Sequence, residues 1–180
     1  PLVLADKSQL ETAVMNLAVN ARDAMRGVVE PGAGVVTIKT RRLTEAQARD
    51  LGWREASGET ALIEVSDTGP GVPPELLDKI FEPFFTTKAV NEGTGMGLAT
   101  VYGIVQQAGG HITVGNAETG GAVFRIFLPA AASLISTGLN TLRKAENNDQ
   151  TQVVIGLSLL LGIALPNALS GLEGGMHVFF

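Results

Sequence analysis

The sequence has no cysteine, which excludes thiolate metal sites, cysteine nucleophiles and disulfides and leaves the redox compartment open. Histidine is scarce, with only His111 and His177 present. A catalytic histidine and a metal-binding one can hardly both be drawn from that stock, which counts against zinc hydrolases and Ser-His-Asp catalysis. Basic charge is short as well. Thirteen Lys and Arg face eighteen Asp and Glu, a formal charge of −5, so the broad basic face that duplex nucleic acid demands is not evident and no nucleic-acid partner is expected. Residues 1–7 lack the basic start and apolar run of a secretory leader; the beginning reads as a cut, and the folded part as cytoplasmic. An unbroken apolar run long enough to span a bilayer is lacking too. Residues 150–172 come nearest, uncharged but interrupted by Pro166, Asn167 and three glycines. What the chain has in excess is glycine, 22 residues in 180.

Periodicity organises the chain. In 6–25 the apolar positions Leu10, Val14, Leu17, Ala18, Ala21 and Met25 recur at helical steps, predicting an amphipathic helix capped by Ser8 and ending near Gly27. Residues 35–40 and 61–66 are β-branched runs that predict strands. Residues 41–60 connect them, carry the sole Trp, and predict a short helical turn at 45–50. A Gly/Pro turn follows at 67–71, a short helix at 74–81, and a stretch at 84–97 too broken for regular structure, a candidate mobile lid. Residues 98–108 predict a helix stopped by Gly109 and Gly110, before strands at 111–116 and 122–128 joined through 118–121. The expected fold is a two-layer α/β sandwich with helices on one face of a mixed sheet. It occupies 1–130; 131–149 is a linker and 150–180 a hydrophobic tail, for which a membrane anchor at 150–172, packing on the domain and disorder all stay open.

Three local patterns point to chemistry. Asn16, Asn20 and Asp23 fall at i, i+4 and i+7, so three short polar side chains share one helical stripe. Asn is a poor helix former, and its amide oxygen is a hard neutral donor suited to Mg²⁺; the alternative is a solvated polar face. Asp67-Thr-Gly-Pro-Gly71 comes directly off a strand. Its carboxylate can accept a hydrogen bond from an exocyclic amine, which favours adenine, since guanine presents a carbonyl oxygen at the matching position; the alternative is a simple Asp-Gly turn. Gly93-Thr-Gly-Met-Gly97 leads into a helix, and bare backbone N–H groups at a helix start make an anion site. It is neither a Walker A loop nor a GxGxxG fingerprint. Lys88 could fold over phosphates as a point charge.

In this order the segments resemble the catalytic ATP-binding domain of sensor histidine kinases of two-component signalling. The resemblance spans about residues 4–129 and rests on Asn16-Leu-Ala-Val-Asn20-Ala-Arg-Asp-Ala-Met25, Asp67 to Gly71, Phe81-Glu-Pro-Phe-Phe85 and Gly93 to Gly97. The NARDAM and YGIVQQAGGHI runs look closest to the nitrogen-regulation-type kinases. The resemblance implies a Bergerat (GHKL) sandwich with a mobile ATP lid, and ATP and Mg²⁺ as cofactors. It implies that Asn20 holds the metal, that Asn16, Asn20 and Lys88 serve phosphoryl transfer, and that Asp67 reads the adenine amine over a floor of Gly69 and Gly71. Gly93, Thr94, Gly95, Met96, Gly97 and Leu98 would line the triphosphate, with Phe84 and Phe85 anchoring the lid. It further implies a histidine-bearing dimerisation domain as phosphoacceptor, absent from this chain, and a response-regulator receiver domain downstream. Related ATPases place a Glu where this chain has Asn16. An amide cannot take a proton from water, so transfer to histidine is expected over hydrolysis. A non-catalytic nucleotide switch and a hydrolase are the alternatives. Asp23 and Ala122 depart from the pattern, standing where a basic residue and a Thr are common, and His111 is expected to be structural.

Overall fold

In the computed structural model, residues 1–26, 29–30, 33–87 and 94–132 are described. The first helix, α1 (Lys7–Met25), buries Leu10, Ala13, Leu17, Ala21 and Met25, the three- and four-residue spacing of one apolar stripe. Its cap is Asp6, not Ser8. Asp6 precedes the first turn and accepts the Ser8 and Gln9 amides at 2.8 and 3.1 Å, while the Ser8 hydroxyl donates to the same oxygen at 2.6 Å. That hydroxyl first, and the Gln9 amide next, hold the Asp6 carboxyl below its ordinary 3.8.

A depressed folded-state value means stability that is present above the unfolded value and lost as pH falls through the folded one. Asp6→Ala is therefore expected to melt a few degrees below the parent at neutral pH. The gap should close in strong acid, as thermal unfolding followed by circular dichroism would show.

Strand β1 (Val36–Leu43) leads to α2 (Glu45–Asp50), then β2 (Thr60–Asp67), α3 (Gly97–Gln107), β3 (His111–Asn116) and β4 (Ala122–Pro129). Helix α2 begins in a capping box, with the Thr44 side chain on the Gln47 amide and the Gln47 side chain on the Thr44 amide. The helix predicted at 74–81 is reduced to a 3₁₀ turn, Pro74–Leu76, followed by irregular turns. Pro83 disfavours helical geometry at the residue before it, which limits extension.

The sheet order is β1-β2-β4-β3, and every pairing is antiparallel, with Val36 opposite Asp67, Ser66 opposite Val123 and Asn116 opposite Ala122. The expected mixed sheet is corrected here for a topological reason. The α3 crossover makes β2 and β3 run the same way, but β4 is inserted between them, so no two neighbours are parallel. The two-layer sandwich stands.

Alternation splits the strands between two faces. Ile63, Val65, Phe124, Ile126 and Leu128 pack under α1 and α3 with Leu10, Leu17, Val101 and Val105. Their register neighbours Leu62 and Phe127 point the other way, into a second core with Leu43, Ala48, Trp53 and Ala56. Helix α2 thus sits on the face opposite α1 and α3, a correction to helices on one face only. Its segment covers apolar surface that would otherwise be exposed. Trp53 stacks on His111 at 6.3 Å and 9° and tilts against Phe127 at 6.1 Å, giving the imidazole a packing role. A compact unit spans Pro1–Ala131. Nearly all of the expected linker, the whole tail 150–180 and His177 lie outside the described residues. Among the described residues no helix is long and apolar enough to cross a membrane.

Candidate functional site

Asp67 is the last residue of β2 and is 7% exposed. Its Oδ1 accepts the Gly69 amide at 2.8 Å and the Ala122 amide at 3.2 Å, tying the strand end to its own turn and to the start of β4. Oδ2 receives no hydrogen bond among the described residues, so one carboxylate oxygen is structural and the other is open to a donor. Thr68 fastens the turn on the other side. Its amide donates to the Val35 carbonyl at 3.2 Å, its Oγ1 accepts the Val35 amide at 3.0 Å, and that hydroxyl lies 3.5 Å from the Met25 sulfur at the end of α1.

Glycines surround this carboxylate, each bare against a different neighbour. A Cβ on Gly69 would lie 2.9 Å from Asp67 Oδ1 and 3.2 Å from Met25 Cγ. Gly71 adopts φ +80°, and a Cβ there would lie 2.7 Å from Asn116 Oδ1. Gly121, at φ +87°, would drive a Cβ into the Asp67 carbonyl. The spacing of the Asp67–Gly71 segment announces Gly69 and Gly71. Sequence reading missed Gly121, whose signal was a Gly-Gly pair immediately ahead of a strand.

Helices α1 and α3 pack against one another, and the residues lining one surface hollow give their direction. Leu4, Asp6, Gln9 and Leu10 lie beside Ile104, Gln107 and Ala108, so the start of α1 adjoins the end of α3 and the helices are antiparallel. The eleven residues of α3 rise about 16 Å. The same distance along α1 from Gln9 reaches Asn20, which sets the first turn of α3 abreast of Asn20. Met25, five residues further, lies against Gly69. The end of α1, the end of β2 and the start of α3 therefore share one edge of the sandwich, and Asn16, Asn20, Asp67, Gly69, Gly71, Gly97 and Leu98 all belong to elements that meet there. Lys88 and Gly93 lie outside the described residues.

Asn16 and Asn20 are half-buried, and neither side-chain amide makes a hydrogen bond among the described residues. Asp23 is also half-buried, and Arg22 donates to its Oδ1 through Nε at 3.0 Å and Nη2 at 2.7 Å, a charge-neutral pair between sequence neighbours. At the start of α3 the cap residue Met96 gives no side-chain hydrogen bond, and the first turn holds no acid. The orphan amides there keep the partial positive charge of a helix start. Just ahead of the helix, Thr94 Oγ1 accepts the Met96 amide at 3.4 Å. Gly95 sits at φ +63° against the Phe84 backbone and accepts the Phe84 amide at 3.0 Å.

The phenylalanines divide their work. Phe85 packs half-buried on the main core, and Phe81 meets Tyr102 at 5.8 Å and Phe124 at 6.5 Å. Phe84 is the one described non-glycine residue with positive φ, +67°, and its ring is 75% exposed, so it joins the glycine run through its backbone.

Two surface hollows lie away from this edge. The one between α1 and α3, about 440 Å³, is mostly apolar, with Asp6 committed to its cap. The other, about 500 Å³ near 42–59, contains Glu45 paired with Arg49 and Glu59 paired with Arg42. Among the described residues, Asp67 on the α1–β2–α3 edge is the buried carboxylate, 7% exposed, whereas Asp6 lies at an exposed helix start. No cluster of three His, Asp or Glu suited to a metal occurs among the described residues.

Residues 5–132 match the family model described as histidine kinase-, DNA gyrase B-, and HSP90-like ATPase. Sensor kinase CckA of Brucella abortus (strain 2308) is 48% identical over 128 residues, 71% of this chain and 13% of that protein. The mycobacterial sensor histidine kinase MprB superposes with a TM-score of 0.55 at 28% identity, covering 71% of this chain and 76% of that one. Full-length ShkA in complex with AMPPNP superposes with a TM-score of 0.53 at 30% identity, over 71% of this chain and 22% of that one. The chain thus spans about an eighth of the CckA length.

Proposed function

The chain belongs to the histidine kinase-, DNA gyrase B-, and HSP90-like ATPase family, and on that premise we propose that it binds ATP on the α1–β2–α3 edge and passes the γ-phosphoryl group to a histidine on a dimerisation helix. The observation that carries this is Asp67. A buried carboxylate with one oxygen fixed by two amides and the other open suits an exocyclic amine at the far end of a nucleotide. The phosphates then fall toward the uncapped start of α3, where orphan amides and the helix dipole favour anionic oxygen.

Magnesium fits the donor set. A single amide oxygen, that of Asn20, with no cluster of three acidic or imidazole side chains among the described residues, suits an ion that is bound largely through nucleotide phosphates and keeps several waters. When bound, it would neutralise charge on the phosphates. Asn20 would hold it, and Asn16, one turn earlier, would orient phosphate oxygens as an amide donor without deprotonating water. The acceptor imidazole attacks with its own lone pair, so no strong base is required. His111 is not that acceptor, because its ring is stacked against Trp53 on the opposite face of the sheet. Lys88, as a cation over the phosphates, and Phe85, as an anchor of the segment carrying it, complete the reading. The parent kinase would supply the histidine-bearing domain and signal through a receiver domain. Its catalytic part would work in the cytoplasm.

Incubating the chain with Mg-ATP and a histidine-bearing dimerisation helix supplied in trans is expected to yield acid-labile phosphohistidine on the helix. Asn20→Ala should raise the Mg²⁺ concentration needed for half-maximal transfer by roughly tenfold. Steady phosphate release without acceptor, and no labelled histidine with it, would favour a hydrolase instead.

A further inference from the structure

Asn116 lies outside every motif above, yet it joins three parts of the site. As the last residue of β3 it stands in register with Ala122, whose amide holds Asp67. Its side chain makes a two-point clamp on Val72: Oδ1 accepts the Val72 amide at 2.8 Å and Nδ2 donates to the Val72 carbonyl at 2.8 Å. A carboxamide satisfies a backbone N–H and C=O together in this way, and an aspartate, having no donor, cannot. Val72 directly follows Gly71, whose positive φ and missing Cβ let the chain pass against Asn116 Oδ1. The segment from Asp67 to Val72 is therefore pinned at both ends, by Asp67 Oδ1 at its start and by Asn116 at its finish. Between the pins Gly69 has its amide on Asp67 Oδ1, which sets the direction of Oδ2. Asn is also disfavoured in strands, so its presence at this position calls for a local reason.

We infer that Asn116 is the positioning residue for purine discrimination: its clamp on Val72 holds the glycine turn so that Asp67 Oδ2 is aimed at an exocyclic amine and against a carbonyl. This rests on the adenine reading of Asp67. Asn116 touches neither base nor phosphate in this scheme and acts through the turn.

The test uses the whole chain, with Mg-ATP and Mg-ITP titrated calorimetrically into the parent, Asn116→Ala, Asn116→Ser and Asp67→Asn. ITP presents a carbonyl where ATP presents the amine. Asn116→Ala is expected to bind ATP about tenfold more weakly while ITP changes little, so the preference between them narrows. Asn116→Ser, whose hydroxyl stops one bond short of the carboxamide atoms that reach Val72, should behave like Asn116→Ala. Melting temperatures should stay within a few degrees of the parent, because the clamp lies at the surface. Equal weakening of both nucleotides alongside a matching fall in melting temperature would overturn the inference, leaving Asn116 a structural tie. So would unchanged discrimination in both Asn116 variants while Asp67→Asn loses it. If Asp67→Asn itself leaves the preference intact, the adenine reading is what fails, and the role of Asn116 falls with it.

Discussion

Replacing Asp67 by asparagine is expected to weaken ATP binding by roughly ten- to a hundredfold, the value of one charge-assisted hydrogen bond, with the fold retained. The substitution separates the two jobs of the side chain. An asparagine carbonyl oxygen at the Oδ1 position still accepts the Gly69 and Ala122 amides, so the strand end stays tied to its turn and to β4. The amide nitrogen then occupies the Oδ2 position and turns an acceptor into a donor. It faces the adenine amine donor to donor, whereas it can serve the carbonyl of ITP. Affinity for ATP should collapse as affinity for ITP holds or improves, and equilibrium titration reads both. An ATP affinity within twofold of the parent would remove Asp67 from base recognition.

The second large effect is expected at Gly121. Gly121→Ala places a methyl group on the Asp67 carbonyl in a backbone conformation that an L side chain avoids. The left-handed conformation costs about 1–2 kcal/mol and the overlap a further ~1–3 kcal/mol, so a loss of roughly 2–5 kcal/mol is expected in denaturant unfolding. Relief requires the start of β4 to move away from the end of β2, which also breaks the Ala122 bond to Asp67. Nucleotide affinity should therefore fall under conditions where the variant is still folded. Gly103 is the control: it lies in α3 with open space where a Cβ would stand, so Gly103→Ala is expected to be neutral or slightly stabilising. Equal stability of Gly121→Ala and the parent would remove the Asp67 carbonyl as the steric limit at this position.

These two sites differ in how much of them a sequence discloses. Asp67, Gly69 and Gly71 lie within five residues, and their chemistry follows from type and spacing. Helix α1 was legible for the same reason, since Leu10, Leu17 and Met25 repeat at a period that one helix alone sets. Helix α2 was readable at 45–50, and the strand positions to within a few residues. What stayed hidden depends on contacts between distant positions. Asp67 meets Ala122 across 55 residues and Val72 meets Asn116 across 44, and no local pattern encodes either. Trp53 could be seen, but not that it covers a second core with Phe127 and His111. The helix cap illustrates the narrowest kind of miss. Asp6 and Ser8 are both good caps, and only geometry shows that Ser8 donates to Asp6. The mixed sheet is the remaining misfit: element order alone does not say which strands become neighbours, and nothing in the sequence of β4 says that it enters between β2 and β3.

That inserted strand governs the order in which the domain can form during translation. The hydrogen-bonding slot between β2 and β3 is filled by β4, the last of the four described strands to leave the ribosome, so a nascent chain that ends before Ala122 has both slot edges unsatisfied. It also lacks the amide that steadies Asp67. Assembly from the amino end can yield helices and the β1–β2 pair, but the sheet closes and the binding edge matures in one late event. Until then the growing polypeptide exposes pairing surface to its neighbours, a period in which chaperone protection has the most to contribute.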